Sequence, residues 1–258
     1  MLAPFMPDCK LVSDVAPSPN HEERAGARAP DIVLLHYTGM PSGLAALARL
    51  RDGGGNERVS AHYFVGEDGT IVQLVPEQRR AWHAGAASWE GESDINSRSI
   101  GIEIVNPGHD FGYPEFPPHQ IAAVTALCRD IVARNRIRAD RVLAHSDVAP
   151  GRKQDPGEKF PWERLHKAGV GHWVAPTPIT DAPFLAVGER GETVSQLQTE
   201  LAQYGYGISV TGEYDAATRD VVAAFQRHFR PARIDGIADG STLTTLTDLL
   251  AARPSAAV

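Results

Sequence analysis

DIVLLHYTGMPSGLAALARLRD, residues 31–52, is where regular structure is predicted to begin. Its first eight residues form an apolar run of the length of a buried strand. From Pro41 to Asp52 the pattern turns helical, with Pro41 tolerated in the first turn and Gly53, Gly54 and Gly55 ending it. The same alternation continues downstream. AHYFVGEDGTIVQLV (61–75) holds two β-rich runs around Glu67-Asp68-Gly69, a hairpin signal. SIGIEIV (99–105) reads as a strand with Ile100, Ile102 and Ile104 on one face and Glu103 on the other. PPHQIAAVTALCRDIVARNR (117–136) sets Ile121, Val124, Leu127, Cys128, Ile131 and Val132 on one helical stripe. RVLAH (141–145) is a further short strand and FPWERLHKAG (160–169) a brief helix. Interleaved strands and helices predict an α/β domain, a mixed β-sheet flanked by helices.

On the amino-terminal side, residues 1–28 are polar and proline-rich without periodicity, and are expected to form a loose arm before a domain spanning 29–175. On the other side, VAPTPITDAP (174–183) has the composition of a stiff linker, placed at 176–183. Beyond it VSQLQTELAQYG (194–205), AATRDVVAAFQRHF (216–229) and STLTTLTDLL (241–250) predict a small three-helix bundle, residues 184–252. Eight of the ten histidines and all four tryptophans lie between residues 31 and 175, so chemistry is expected there.

The 258 residues carry 25 Lys+Arg against 32 Asp+Glu, a net charge of −7, which disfavours binding to phosphate backbones and so nucleic acid. No run approaches the roughly 18 apolar residues of a membrane span. The first residues lack a basic segment followed by an apolar one, so the cytoplasm is the expected compartment, with the periplasm as alternative if a leader has been removed. Cys9 and Cys128 do not make a disulfide scaffold, and Cys128 is expected as a buried thiol. Without a G-x-S-x-G elbow, and with neither Cys in a nucleophile context, a Ser or Cys hydrolase finds no support.

His36 and His145 each close an apolar run, and Asp155 follows ten residues after His145 in the loop SDVAPGRKQDPG. Two imidazoles and a carboxylate are a ligand set that holds Zn²⁺ with a fourth position open to water. A histidine at a strand end is also an ordinary hydrogen-bonded surface group, so spacing alone leaves the metal open. Glu103, between two isoleucines, is either a desolvated general base or a plain outward-facing strand position. Lys153, two residues before Asp155, would point the same way in an extended loop; alone it reads as a solvated lysine.

Four segments, LLHYT (34–38), SAHYFVGEDGTIVQLVPEQRRAWHAG (60–85), INSRSIGIEIVN (95–106) and AHSDVAPGRKQDPG (144–157), together resemble the zinc N-acetylmuramoyl-L-alanine amidases of the amidase-2 family. These are relatives of phage T7 lysozyme and the peptidoglycan recognition proteins, and the resemblance spans about residues 31–175. In the tail, VSQLQTELAQYGY (194–206), TGEYDAATRDVVAAFQRHF (211–229) and IDGIADGSTLTTL (234–246) resemble the peptidoglycan-binding type 1 domain. Both in this order look like the two-domain AmiD-type amidases.

The resemblance implies one Zn²⁺ held by His36, His145 and Asp155, with Glu103 as catalytic glutamate and Lys153 facing the reacting carbonyl. It places Trp82, His83 and Gly85 of WHAG, with Arg98 and Asn106, along a substrate groove. His62 is expected to be structural, and His109, His119, His166 and His172 to lie on the surface. The implied reaction is hydrolysis of the amide between N-acetylmuramic acid, or its 1,6-anhydro form, and L-alanine of the stem peptide. Peptidoglycan or muropeptides are the implied partners, with the chain acting as a monomer. Non-catalytic recognition proteins of this fold commonly carry Cys at the third ligand, so Asp155 favours an enzyme. The alternatives are a recognition protein that binds without cutting, and a zinc peptidase acting within the stem.

Overall fold

The structure, a computed structural model, describes residues 5–54, 58–179 and 184–254. Along the chain its strands are β1 (Asp14–Val15), β2 (His21–Glu23), β3 (Ile32–Tyr37), β4 (Tyr63–Val65), β5 (Ile71–Gln73), β6 (Arg79–Ala81), β7 (Ser99–Ile104) and β8 (Val142–Ala144). The helices are α1 (Gly43–Arg51), α2 (Ile95–Arg98), α3 (Pro118–Asn135), α4 (His145–Val148), α5 (Trp162–Lys167), α6 (Glu192–Tyr204), α7 (Ala216–Phe229) and α8 (Gly240–Ala251). Six strands form one mixed sheet in the order β1-β5-β4-β7-β3-β8, and β2 pairs with β6 in a second, two-stranded sheet. Only the β4–β5 hairpin is antiparallel in the main sheet; the other neighbours run parallel.

Strand β3 is apolar at nearly every position because both its faces are covered. Val33 and Leu35 point with Ile100, Ile102 and Ile104 toward the buried stripe of α3, whereas Ile32 and Leu34, with Leu143, point the opposite way. What covers this second face is the C-terminal bundle: Val194, Leu197, Leu201, Val222, Phe225 and Phe229 share one apolar cluster with those residues and with Trp89 and Val148. The proline-rich stretch is therefore no spacer between independent bodies. Its residues 180–183, like residues 1–4, lie outside the described part of the chain.

The amino-terminal segment also departs from expectation. It is fastened at particular residues rather than loose: β1 pairs with β5 at the sheet edge, Cys9 is buried, and Ser18, Asn20 and Arg24 are buried polar groups with partners. Arg24 alone donates to the carbonyls of Glu77, Asn96, Ser97 and Ser99. Such a segment is held by polar side chains that satisfy orphan carbonyls, which leaves no apolar period to detect. Two boundaries also shift. Ser42 Oγ accepts from the Ala45 N–H, so α1 starts after Ser42 rather than at Pro41. His145 is not the last residue of a strand but the first of the helical turn α4. No helix among the described residues is long and apolar enough to cross a membrane.

Candidate active site

Parallel strands β3, β7 and β8 end together, and side chains leaving such carboxyl ends face a common crevice. In register, His36 of β3 lies beside Glu103 of β7, and Leu35 beside Ala144, the residue before His145. His36 shares its strand face with Ile32 and Leu34, so it projects to the bundle side of the sheet. Asp155 returns along the loop after α4, fastened where the Ser146 N–H meets the Asp155 carbonyl at 3.0 Å.

The result is a triangle of donor atoms. His36 Nδ1 lies 2.9 Å from His145 Nδ1 and 3.0 Å from Asp155 Oδ2, and His145 Nδ1 lies 2.9 Å from the same oxygen. All three residues are buried. Hydrogen positions follow from the far sides of the rings. His145 Nε2 is 2.9 Å from the Ala84 carbonyl, which only accepts, and 3.4 Å from Arg152 Nη2; a hydrogen on Nε2 satisfies the carbonyl and, in the neutral ring, leaves the Nδ1 lone pair facing the triangle.

His36 is fixed through a longer relay. Ser99 Oγ donates to the Ile95 carbonyl at 2.7 Å and offers a lone pair to His83 Nε2 at 3.4 Å. His83 Nδ1 is then bare and accepts from His36 Nε2 at 3.0 Å, leaving His36 Nδ1 without hydrogen. Burial, with the neighbouring His145, pulls the His36 pKa down to about 4, so the ring is neutral. With hydrogens on the outer nitrogens, two Nδ1 lone pairs and a carboxylate oxygen face one another, an arrangement that a cation would relieve. Two imidazole nitrogens and one carboxylate oxygen are a donor set that suits Zn²⁺.

Around the triangle opens a cleft of about 450 Å³, lined among others by Glu103, Lys153, Tyr37, Ser60, His83 and Arg152. Glu103 is half-buried, and its Oε2 is buried without a hydrogen-bond partner among the described residues. Burial first and the Asp155 charge second push its pKa well above the ordinary carboxyl value, against the pull of Lys153.

Of the residues expected along the groove, His83 reaches the cleft, although its ring serves His36 rather than open space. Gly85 is exposed at φ +61, facing the Arg152 guanidinium that binds the Ala84 and Ala86 carbonyls. Trp82 stands beside the cleft: its backbone pairs with Ser60, its indole donates to Glu22 and Arg58 lies over its ring.

Two placements are corrected. Arg98 is buried away from the cleft because its guanidinium binds Asp31 at 2.8 Å and the Trp89 carbonyl at 3.3 Å. Asn106 is turned inward onto Pro114 O and the Gly108 N–H, bracing the loop rather than lining the groove. His62 is structural as expected, capping the Gly101 N–H and the Arg79 carbonyl. His119 and His166 are on the surface. His109 instead lines the cleft between Tyr37 and Glu158, and His172 is buried against Tyr204. Sequence reasoning misses Arg152, Ser99 and Tyr37; Tyr37, next to His36, offers a local signal.

A family model described as N-acetylmuramoyl-L-alanine amidase matches residues 26–158, about half the chain. The N-acetylmuramoyl-L-alanine amidase AmiD of Escherichia coli (strain K12) is 37% identical over 236 residues, covering 85% of this chain and 82% of AmiD. The chain belongs to the N-acetylmuramoyl-L-alanine amidase family. A second family model, described as a putative peptidoglycan binding domain, matches residues 190–246 of this amidase.

The 1,6-anhydro-N-acetylmuramyl-L-alanine amidase AmpD of Salmonella typhimurium (strain SL1344) is 34% identical over 172 residues, covering 58% of the amidase and 86% of AmpD. Among solved structures, E. coli AmiD in complex with the substrate anhydro-N-acetylmuramic acid-L-Ala-D-γ-Glu-L-Lys superposes with a TM-score of 0.73 at 35% identity, over 89% of this chain and 92% of that one. AmpDh3 from Pseudomonas aeruginosa superposes with a TM-score of 0.74 at 28% identity, over 99% and 100%. AmpDh3 has also been solved with an anhydromuramic pentapeptide.

Proposed function

We propose that this amidase hydrolyses the amide joining the lactyl group of N-acetylmuramic acid, in its normal or 1,6-anhydro form, to L-alanine of the stem peptide, with one Zn²⁺ at His36, His145 and Asp155. The observation that carries this reading is the meeting of two imidazole nitrogens and a carboxylate oxygen within 3.0 Å of one another beside an open cleft. Bound there, Zn²⁺ supplies the charge that polarises an amide carbonyl and makes water acidic at a pKa of about 7.

The chain's own groups supply the proton and the remaining charge. Glu103, with an unpartnered buried Oε2 and a raised pKa, takes a proton from the attacking water and passes it to the leaving amine. Lys153, on the cleft wall, places a cation where negative charge develops on the carbonyl oxygen. His83 and Ser99 keep His36 in the tautomer that offers Nδ1 inward. Peptidoglycan and its muropeptide fragments are the ligands this arrangement serves, and the chain acts as a monomer.

The test is a product mass spectrum from intact wall and from soluble anhydro-muropeptides, with and without chelator. Intact stem peptides beginning with L-alanine, lost on chelation and regained with Zn²⁺, are expected. Shorter peptides would establish a peptidase acting within the stem, and binding without release would establish a recognition protein.

A further inference from the structure

Helix α4 has four residues, too few to hold a helical turn by itself, yet its first residue is His145 and the loop beyond it carries Asp155. Its braces come largely from the C-terminal bundle. Asp147, fully buried two residues past His145, accepts from the Ala144 N–H of its own loop at 2.8 Å. Its other partners are Tyr206 Oη at 2.8 Å and His228 Nδ1 at 2.7 Å, both from the bundle. A carboxylate only accepts, so both partners donate. His228 is itself fixed, its ring stacked 3.7 Å from that of Trp162 and 3.8 Å from that of Phe229.

Three further contacts fall on the same loop. Val148 packs into the apolar cluster shared with α6 and α7. Gly151 lies so close to α7 that a Cβ there would come within 2.5 Å of Asp220 Oδ2. Arg227 of α7 pairs at 3.6 Å with Glu158, three residues beyond Asp155. The bundle thus grips residues 147–158 at four places, on both sides of Asp155.

We propose that the C-terminal bundle is a positioning element of the metal site: Tyr206 and His228, through Asp147, hold the loop in the arc that brings His145 and Asp155 to one point. This role rests on the metal-site reading above. It assigns to a module matched as a wall binder a second task that needs no wall.

Full-length Tyr206→Phe, His228→Ala and His228→Asn, with Arg190→Ala on an exposed pair of the bundle as control, are compared with the unaltered chain. Zn²⁺ affinity is read by competition with a chromophoric chelator, ligand geometry by the visible spectrum of the Co²⁺ form, and kcat and KM separately on anhydro-muropeptide. His228→Ala is expected to weaken Zn²⁺ binding about 10-fold or more, as loss of groups supporting ligands does. It should alter the Co²⁺ spectrum and lower kcat with KM little changed. His228→Asn, whose amide N–H falls where Nδ1–H was, restores most of the loss, and Arg190→Ala leaves all readouts unchanged. Should His228→Ala fail to fold, Tyr206→Phe, which removes one oxygen, is expected to move the same readouts in the same direction by a smaller factor.

Variants that bind Zn²⁺ and turn over like the unaltered chain, while only melting earlier, overturn the positioning role. Asp155→Ala separates the two readings. If it binds Zn²⁺ as tightly as the unaltered chain, the metal site is wrong and the positioning role falls with it; if it loses Zn²⁺ while the bundle variants keep it, the positioning role alone falls.

Discussion

Single atoms carry much of the chemistry. Glu103→Gln keeps the shape of a half-buried side chain but cannot accept the water's proton. Turnover on anhydro-muropeptide is expected to fall about 10²–10⁴-fold with bound Zn²⁺ unchanged, measured by kinetics and metal analysis; equal turnover would remove Glu103 from the reaction. Glu77 illustrates a carboxylate used for folding. Burial alone would raise its pKa, but Arg134, Tyr63 and Asn135 together outweigh it and hold the group below its ordinary value of 4.5. A folded-state pKa below the unfolded one means this stabilisation is complete above about pH 4.5 and drains away as pH falls through the lowered value. Glu77→Gln should therefore cost about 2 kcal/mol at neutral pH and flatten the acid limb of stability, read by denaturant titration from pH 7 to pH 3. Residue identity alone, through the motif words, made His36, His145, Asp155, Glu103 and Lys153 legible as candidates. It could not show that the His83 ring turns onto His36, because that depends on Ser99, sixteen residues away, turning its lone pair toward the ring.

At the scale of elements, β7 does two things at once. Its isoleucines build the core under α3, while Ser99, Gly101 and Glu103 serve the opposite face. Gly101 is needed because the His83 ring lies against its backbone; a Cβ there would meet ring atoms at 2.6 Å. Gly101→Ala should displace His83, loosen the His36 tautomer and weaken Zn²⁺ binding about 10-fold, measured by chelator competition; unchanged affinity would mean the relay is idle. The amino-terminal segment offers a second test. Arg24→Ala leaves four carbonyls without their donor and is expected to cost on the order of 3 kcal/mol of unfolding free energy. Periodic elements such as β3, β7, α3 and α7 were visible in the sequence because burial imposes a period on them. The strands β1, β2 and β6 and the turn α4 have two to four residues each, too few for a period to register, and are held by partners far away in the chain.

At the scale of the whole molecule, the described residues of the sheet and of the bundle share one apolar core where the sequence suggested an arm and two separate domains. An apolar cluster runs from Ile32, Leu34 and Leu143 of the sheet into Phe225 and Phe229 of the bundle. Around it Arg253 of the tail binds both Glu90 and Asp140, and Arg141 binds Glu90. Thermal unfolding followed by calorimetry and by near-ultraviolet circular dichroism should show one transition; two well-separated ones would mean the seam is weak. A fragment ending at residue 175 should expose that seam and aggregate. The linker composition of 174–183 concealed this, since proline content describes local stiffness and says nothing of what the flanking faces bury. The shared seam also constrains descent and engineering. A tail grafted from another wall-binding protein would bring its own taste for glycan but neither the hydroxyl nor the imidazole that Asp147 receives, so head and tail of this amidase can change only in step.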